Sequence, residues 1–185
     1  MSVLEGRTIA TIGSGVMAES MIAGLLRGGL VEPARVIASH PRAERRDQLV
    51  AEYGIRAVAG NGEAASAADV VLLAVKPQML ARVGRELRRH LRPEQLVISI
   101  VAGPTTAALV AALGHQRVVR AMPNTPAQIG RGMTVWYATP ETTEAQRAQA
   151  SAILQALGHE LQVEDEKLVD RKSTRLNSSH VALSR

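Results

Sequence analysis

Residues 7–26, RTIATIGSGVMAESMIAGLL, decide the fold. A short β-branched run, Thr8 to Ile12, stops at Gly13-Ser14-Gly15. It resumes with apolar residues at Met17, Met21 and Leu25 and at Ala18, Ile22 and Leu26. That recurrence every fourth residue has a helical period, so the order is strand, glycine turn, helix. In a G-x-G-x-x-A pattern Gly13 permits a tight turn, Gly15 lets a pyrophosphate approach the backbone, and Ala18 keeps helix and strand close. The N–H groups at the helix start then face an anion. Glycine turns without a ligand share the pattern. What points to a dinucleotide is that it follows a strand, opens a helix and begins an α/β alternation.

The alternation continues along the chain. Gly28-Gly29 ends the first helix, Val36 to Ser39 reads as a strand, and a charged helix runs from about Pro41 to Tyr53. Ile55 to Ala59 is a third strand, followed by a short Ala-rich helix from Glu63. Asp69 to Val75 is a continuous apolar run, as expected of a central strand buried on both faces. Pro77 opens a helix to about Leu91, Leu96 to Val101 is the fifth strand, Thr105 to Leu113 a helix and Arg117 to Ala121 the sixth strand. Six β-α units predict an α/β fold with a doubly wound, mostly parallel sheet of Rossmann type, whose ligands bind at the carboxyl ends of the strands. Met122-Pro123-Asn124-Thr125-Pro126 falls at one such end, a stiff loop bracketed by prolines. Met133 to Ala138 reads as a further strand. Thr139-Pro140-Glu141 reads as the cap, first-turn proline and first-turn acid of a helix to Leu157, closed by Gly158. Glu160 to Val163 is a last short strand, and Glu164 to Asp170 starts a helix.

Composition narrows the function classes. The 185 residues are 46% hydrophobic, enough for one domain with a proper core. Cysteine is absent, which excludes a disulfide framework and any thiolate metal site. There is no signal-peptide core and no run of membrane-spanning length, so the expected location is the cytoplasm. The net charge of +5 is concentrated at the end, because residues 171–185 carry four of the 22 Lys and Arg and no acid. The body is nearly neutral, and Tyr53, Trp136 and Tyr137 are its only aromatics, too few for a base-stacking surface. Nucleic acid and membrane are therefore not expected partners. The five histidines, His40, His90, His115, His159 and His180, share no ligand spacing, so no metal is expected and surface or loop roles are assigned to them.

Cofactor choice follows from the end of the second strand. An NAD-selective site places an acid there, about 20 residues beyond the glycine motif, to hold the ribose hydroxyls. Here Ser39-His40-Pro41-Arg42 offers a hydroxyl, an imidazole and a cation with no carboxylate, which favours NADPH while leaving NADH possible. Arg42, Arg45 and Arg46 serve a phosphate or form the solvated face of a helix. Trp136 and Tyr137, in a predicted strand, are assigned to packing.

Four stretches together resemble the pyrroline-5-carboxylate reductase family: IGSGVMAES at 12–20, VLLAVKPQ at 71–78, LVISIVAG at 96–103 and VVRAMPNTPAQIGRGMT at 118–134. The resemblance covers about residues 7–170 and makes residues 1–170 an NAD(P)-binding domain. It implies that Ile12, Gly13, Ser14, Gly15, Val16 and Met17 wrap the pyrophosphate, Ser39 meets the adenosine phosphate and Asn61 lies near the adenine ribose. It further implies that Ala74, Val75, Lys76 and Pro77 border the cofactor and that Ile100, Val101 and Ala102 line the nicotinamide side. Asn124 and Thr125 are the candidates for positioning nicotinamide or substrate, with turn formation as their alternative role. No residue is assigned a catalytic role outright.

The implied reaction is hydride transfer to the C=N carbon of 1-pyrroline-5-carboxylate, a small-molecule imine, giving proline in the last step of its biosynthesis. The family continues into a helical, dimerising domain that completes the substrate site. Residues 171–185, RKSTRLNSSHVALSR, do not match it and read as a disordered basic tail or as foreign sequence. Two expectations follow. Either the chain is a fragment of such a reductase, or it is an NADPH-binding module without turnover. A third reading, a hydroxy-acid dehydrogenase with a similar cofactor domain, is opposed by the AMPNTP loop. Whereas the full-length family is homo-oligomeric, this chain is expected to be monomeric or aggregation-prone, with an apolar, unpaired face near the last strand and residues 164–170.

Overall fold

The computed structural model describes residues 3–124, 126 and 132–170. Thr125 and the 171–185 tail therefore lie outside the described residues. Among the described residues, eight strands form one sheet in the order β3-β2-β1-β4-β5-β6-β7-β8. They are β1 (Ile9–Ile12), β2 (Val36–Ser39), β3 (Arg56–Val58), β4 (Val70–Leu73), β5 (Leu96–Ser99), β6 (Val118–Pro123), β7 (Gly132–Ala138) and β8 (Gly158–Gln162). The helices are α1 (Val16–Arg27), α2 (Ala43–Tyr53), α3 (Asn61–Ser66), α4 (Leu80–Leu87), α5 (Thr106–Leu113) and α6 (Glu144–Gln155).

The sheet is parallel from β3 through β6, as expected, and reverses once, where β7 pairs antiparallel with β6. Parallel pairing requires a crossover helix. The eight residues between Pro123 and Gly132 are too few for a crossover of the dozen or more that parallel pairing needs, so β7 returns antiparallel to β6, and α6 then brings β8 parallel to β7.

The apolar runs of β4 and β5 make sense because alternate residues feed two cores. Val70, Leu72, Leu96 and Ile98 join Ile9, Met21, Leu25, Trp136 and Ile153 on one face. Val71, Leu73 and Val97 join Ala10, Ile12, Val83, Leu87 and Leu109 on the other. Each fully buried aliphatic side chain contributes about 1.5–3 kcal/mol by leaving water. Helix α1 lies so close to the end of α6 that a Cβ on Gly24 would sit 2.4 Å from the Ala156 carbonyl oxygen. Trp136 is buried, as assigned, and its indole N–H donates to Glu160.

Two local expectations are corrected. Helix α6 starts at Glu144, capped by Thr143 in a capping box with Gln146, and not at Thr139-Pro140. Thr139 Oγ1 is instead taken by the Gln116 carbonyl at 2.7 Å and receives the Val118 N–H at 3.1 Å. The segment from Pro77 opens as a 3₁₀ turn, Pro77–Met79, before α4, which ends at Leu87. His115 takes the loop role expected of it, between α5 and β6, but it is buried: its Nε2 lies 2.8 Å from the Gln95 carbonyl oxygen, and burial holds its imidazole below the ordinary value of 6.5.

Of the apolar face expected near the last strand and residues 164–170, the 164–170 part is closed among the described residues, while Leu161 on β8 stays exposed. Val163 and Val169 are buried with Val135, and the large exposed hydrophobics are Val3, Val16, Val50 and Leu161. No helix among the described residues is long and apolar enough to cross a membrane.

Candidate functional site

The order β3-β2-β1-β4 reverses direction between β1 and β4, and a doubly wound sheet opens its ligand crevice beyond the carboxyl ends of strands at such a point. Gly13 to Gly15 occupy that point. Gly13 has φ +88°, and a Cβ there would meet the Ala74 carbonyl oxygen at 2.7 Å, so the tight turn after β1 accepts only glycine. Gly15 differs, with φ −77° and nothing within 4 Å of a Cβ position. It is the N-cap of α1, and no side chain caps the helix start. The first-turn N–H groups of α1, which no helix can satisfy internally, are thus left without a side-chain cap, beside the open space at Gly15. That open cradle fits a pyrophosphate.

The expected site residues gather at this edge. Ile12 and Ser14 are buried, Gly15 and Val16 exposed, and Met17 half-buried beneath them. Ala74 and Val75 are half-buried, while Lys76 and Pro77 are exposed. In the loop after β5, Ile100 is half-buried, Val101 buried and Ala102 exposed. Asn124 is 3% exposed, and its Oδ1 accepts the Met133 N–H at 2.9 Å while its Nδ2 has no partner among the described residues. Its expected neighbour in the site, Thr125, lies outside the described residues.

Ser39 stands at the end of β2, but it is fully buried and turned inward. Its hydroxyl lies 2.8 Å from Asn61 Oδ1 and 3.2 Å from the Thr11 carbonyl oxygen, so it is spent inside the fold. Asn61 remains half-buried at the start of α3, and its Nδ2 donates to Glu86 at 3.0 Å. Glu86 also accepts the Gly62 N–H at 3.3 Å. A carboxylate only accepts, so Glu86 fixes which way the Asn61 amide points.

The three arginines divide their work. Arg45 donates twice to the Ser14 carbonyl, at 3.2 and 3.3 Å, and pairs with Glu19, which also accepts the Tyr53 hydroxyl at 3.2 Å. Arg46 donates to the carbonyls of His40 and Pro41 at 2.9 and 2.8 Å. Arg42 is exposed at the N-cap of α2. Burial pushes the His40 imidazole below 6.5, so it is neutral at pH 7. Of these three arginines, Arg42 is the one whose guanidinium is left free among the described residues.

The roles of Arg45, Glu19, Tyr53 and Glu86 have no local signature, because each rests on a partner 24 or more residues away. A cavity of about 650 Å³ bounded by Leu4, Arg7, Leu30 and Arg35 lies at the opposite edge, where strands begin, away from the switch point.

Comparison with known proteins fits this geometry. A family model described as NADP oxidoreductase coenzyme F420-dependent matches residues 8–103. The chain is 46% identical over 163 residues to a pyrroline-5-carboxylate reductase of Pseudomonas aeruginosa, covering 88% of this chain and 59% of the relative. It is 41% identical over 163 residues to one of Synechocystis sp., covering 88% and 60%. The solved pyrroline-5-carboxylate reductase of Coxiella burnetii matches with a TM-score of 0.86 at 33% identity, over 90% of this chain and 62% of that one. That of Plasmodium falciparum, with NADP bound, matches with a TM-score of 0.83 over 97% and 66%, at 21% identity a likeness of fold alone. The chain spans about 60% of the length of the curated relatives it matches. On residues 8–103 the chain belongs to the family described as NADP oxidoreductase coenzyme F420-dependent, and over most of its length it resembles the pyrroline-5-carboxylate reductases.

Proposed function

We propose that residues 1–170 form the NADPH-binding domain of a pyrroline-5-carboxylate reductase. The observation that carries the cofactor half is the uncapped first turn of α1, open beside Gly15 at the switch point of the sheet. The substrate half rests on the relatives, which are described as pyrroline-5-carboxylate reductases.

The N–H groups of Val16, Met17 and Ala18 hold the pyrophosphate, and Arg45 keeps the turn in place through the Ser14 carbonyl. Arg42 meets the 2′-phosphate, while Ser39 acts from behind by holding Asn61 at the adenine ribose. Ala74 to Pro77 border the cofactor, Ile100 to Ala102 line its nicotinamide end, and the unpaired Nδ2 of Asn124 orients nicotinamide or substrate. When bound, the reduced nicotinamide supplies the hydride that converts the C=N bond of 1-pyrroline-5-carboxylate to the C–N bond of proline. The chain's own contribution is orientation and exclusion of water.

The same reading places the chain in the cytoplasm and makes it, by itself, a monomer, which light scattering tests. Titration of reduced-nicotinamide fluorescence tests the function: saturable NADPH binding, tighter than NADH, is expected. No saturable binding of either nucleotide refutes the reading. Proline formation with NADPH oxidation measures how much of the reaction this chain carries.

A further inference from the structure

A buried cation on β6 is balanced by the 166–170 segment. Arg120 is 1% exposed, and its guanidinium lies 2.6 Å from Asp170 Oδ1 and 3.7 Å from Glu166 Oε1, while its Nε has no partner among the described residues. An unpaired charge at that depth is strongly unfavourable, so the two acids are held where they can reach it.

Glu166 has a second attachment. Its Oε1 accepts the Thr106 N–H at 2.6 Å, and its Oε2 accepts the Thr106 hydroxyl at 2.7 Å. Thr106 is the first residue of α5, whose N-cap Thr105 already spends its side chain on the Ala108 N–H. Glu166 therefore satisfies an N–H that the helix and its cap leave open, and places a negative charge at the positive end of the helix.

The location matters more than the capping. Ser99, the last residue of β5, pairs with Arg120, so the cluster stands level with the carboxyl end of β5 and the middle of β6. Between Ser99 and Thr106 runs the loop that starts with Ile100, Val101 and Ala102 and turns at Gly103, where φ is +100°. In a doubly wound sheet the two mononucleotides lie on opposite sides of the switch point. The adenosine half belongs with β1 and β2 and the nicotinamide half with β4 and β5. The loop is anchored at its start by the Ile100 N–H on the Leu73 carbonyl at 3.0 Å, and at its end by Glu166 on Thr106.

We propose that Glu166 is a positioning residue: through Thr106 and Arg120 it fixes the 100–105 loop and thereby the seat of the nicotinamide half of the cofactor. This rests on the reading of the site as an NADPH site.

The test is a pair of titrations on the full chain, one with NADPH and one with 2′,5′-ADP, which carries the adenosine half and no nicotinamide. Glu166→Ala is expected to weaken NADPH about tenfold, the loss of one charge-assisted hydrogen bond, and to change 2′,5′-ADP by less than about twofold. The fluorescence of bound NADPH should fall in parallel, because the ring is less firmly held. Thr106→Val removes the hydroxyl donor while keeping the N–H, is expected to act in the same sense by about threefold, and decides the matter if Glu166→Ala does not fold. Equal weakening of both ligands, or unchanged NADPH affinity in a folded variant, overturns the proposal. Wild-type chain that binds neither ligand overturns the NADPH reading itself.

Discussion

Gly15→Ala separates the fold from the function at one atom. The added Cβ meets nothing within 4 Å and the backbone φ of −77° suits alanine, so the fold has room for it. The stability cost is that of a poorer N-cap, about 0.5–1 kcal/mol, which lowers the melting temperature of a domain this size by about 1–4 °C. The same methyl stands in the space where a pyrophosphate would approach the α1 N–H groups. Loss of one such charge-assisted contact costs about 2–3 kcal/mol, so NADPH affinity should fall about 30- to 150-fold.

Gly13→Ala is the control of opposite kind. It places a methyl 2.7 Å from the Ala74 carbonyl oxygen at φ +88°, which costs stability by about 3 kcal/mol before any ligand is added. Thermal melting and fluorescence titration on both variants give the four numbers needed. Unchanged NADPH affinity in folded Gly15→Ala would refute the placement of the pyrophosphate.

Arg42→Glu should weaken NADPH at least tenfold and NADH less than about threefold, because only NADPH carries the 2′-phosphate, and the gap should narrow with added salt in parallel titrations. His115 is held neutral by burial, so its folded pKa lies below the unfolded value of 6.5. The unfolded chain then takes up the proton first, and this stability is fully present above about pH 6.5 and lost as pH falls. His115→Gln should flatten the slope of urea-denaturation stability between pH 7 and 5 relative to wild type, a difference that also cancels the shared contribution of His40. Trp136→Ala should destabilise the fold by about 3–5 kcal/mol, seen as a lower urea midpoint, because a 1%-exposed indole leaves a cavity at the β6–β7 reversal.

How much of this was legible depended on the range of the interaction. The glycine turn was readable because a change of period from two to near four and a left-handed glycine are both local. The apolar runs of β4 and β5 were readable because burial on both faces removes the alternation. The direction of β7 was not, since it depends on what the chain does between Pro123 and Gly132 and on where α6 packs. The start of α6 was written in the sequence: Thr143 and Gln146 form the capping-box spacing, but Thr139-Pro140 offered a competing signal four residues earlier. Ser39 was placed correctly at the end of β2, yet the direction of its hydroxyl is set by Asn61 and Thr11, contacts 22 and 28 residues away. The partners of Arg45, Arg120 and Glu166 left no trace in the sequence for the same reason, lying 31, 50 and 60 residues away.

The most direct test of the central claim is an amide chemical-shift titration of the isotopically labelled chain with NADPH. The amides of Ser14 to Ala18 should move first and saturate, with Arg42 and Asn61 following. Those of Gly6 and Arg35, at the opposite edge of the sheet, should stay in place. Saturating shifts at that opposite edge with none between Ser14 and Ala18 would contradict it.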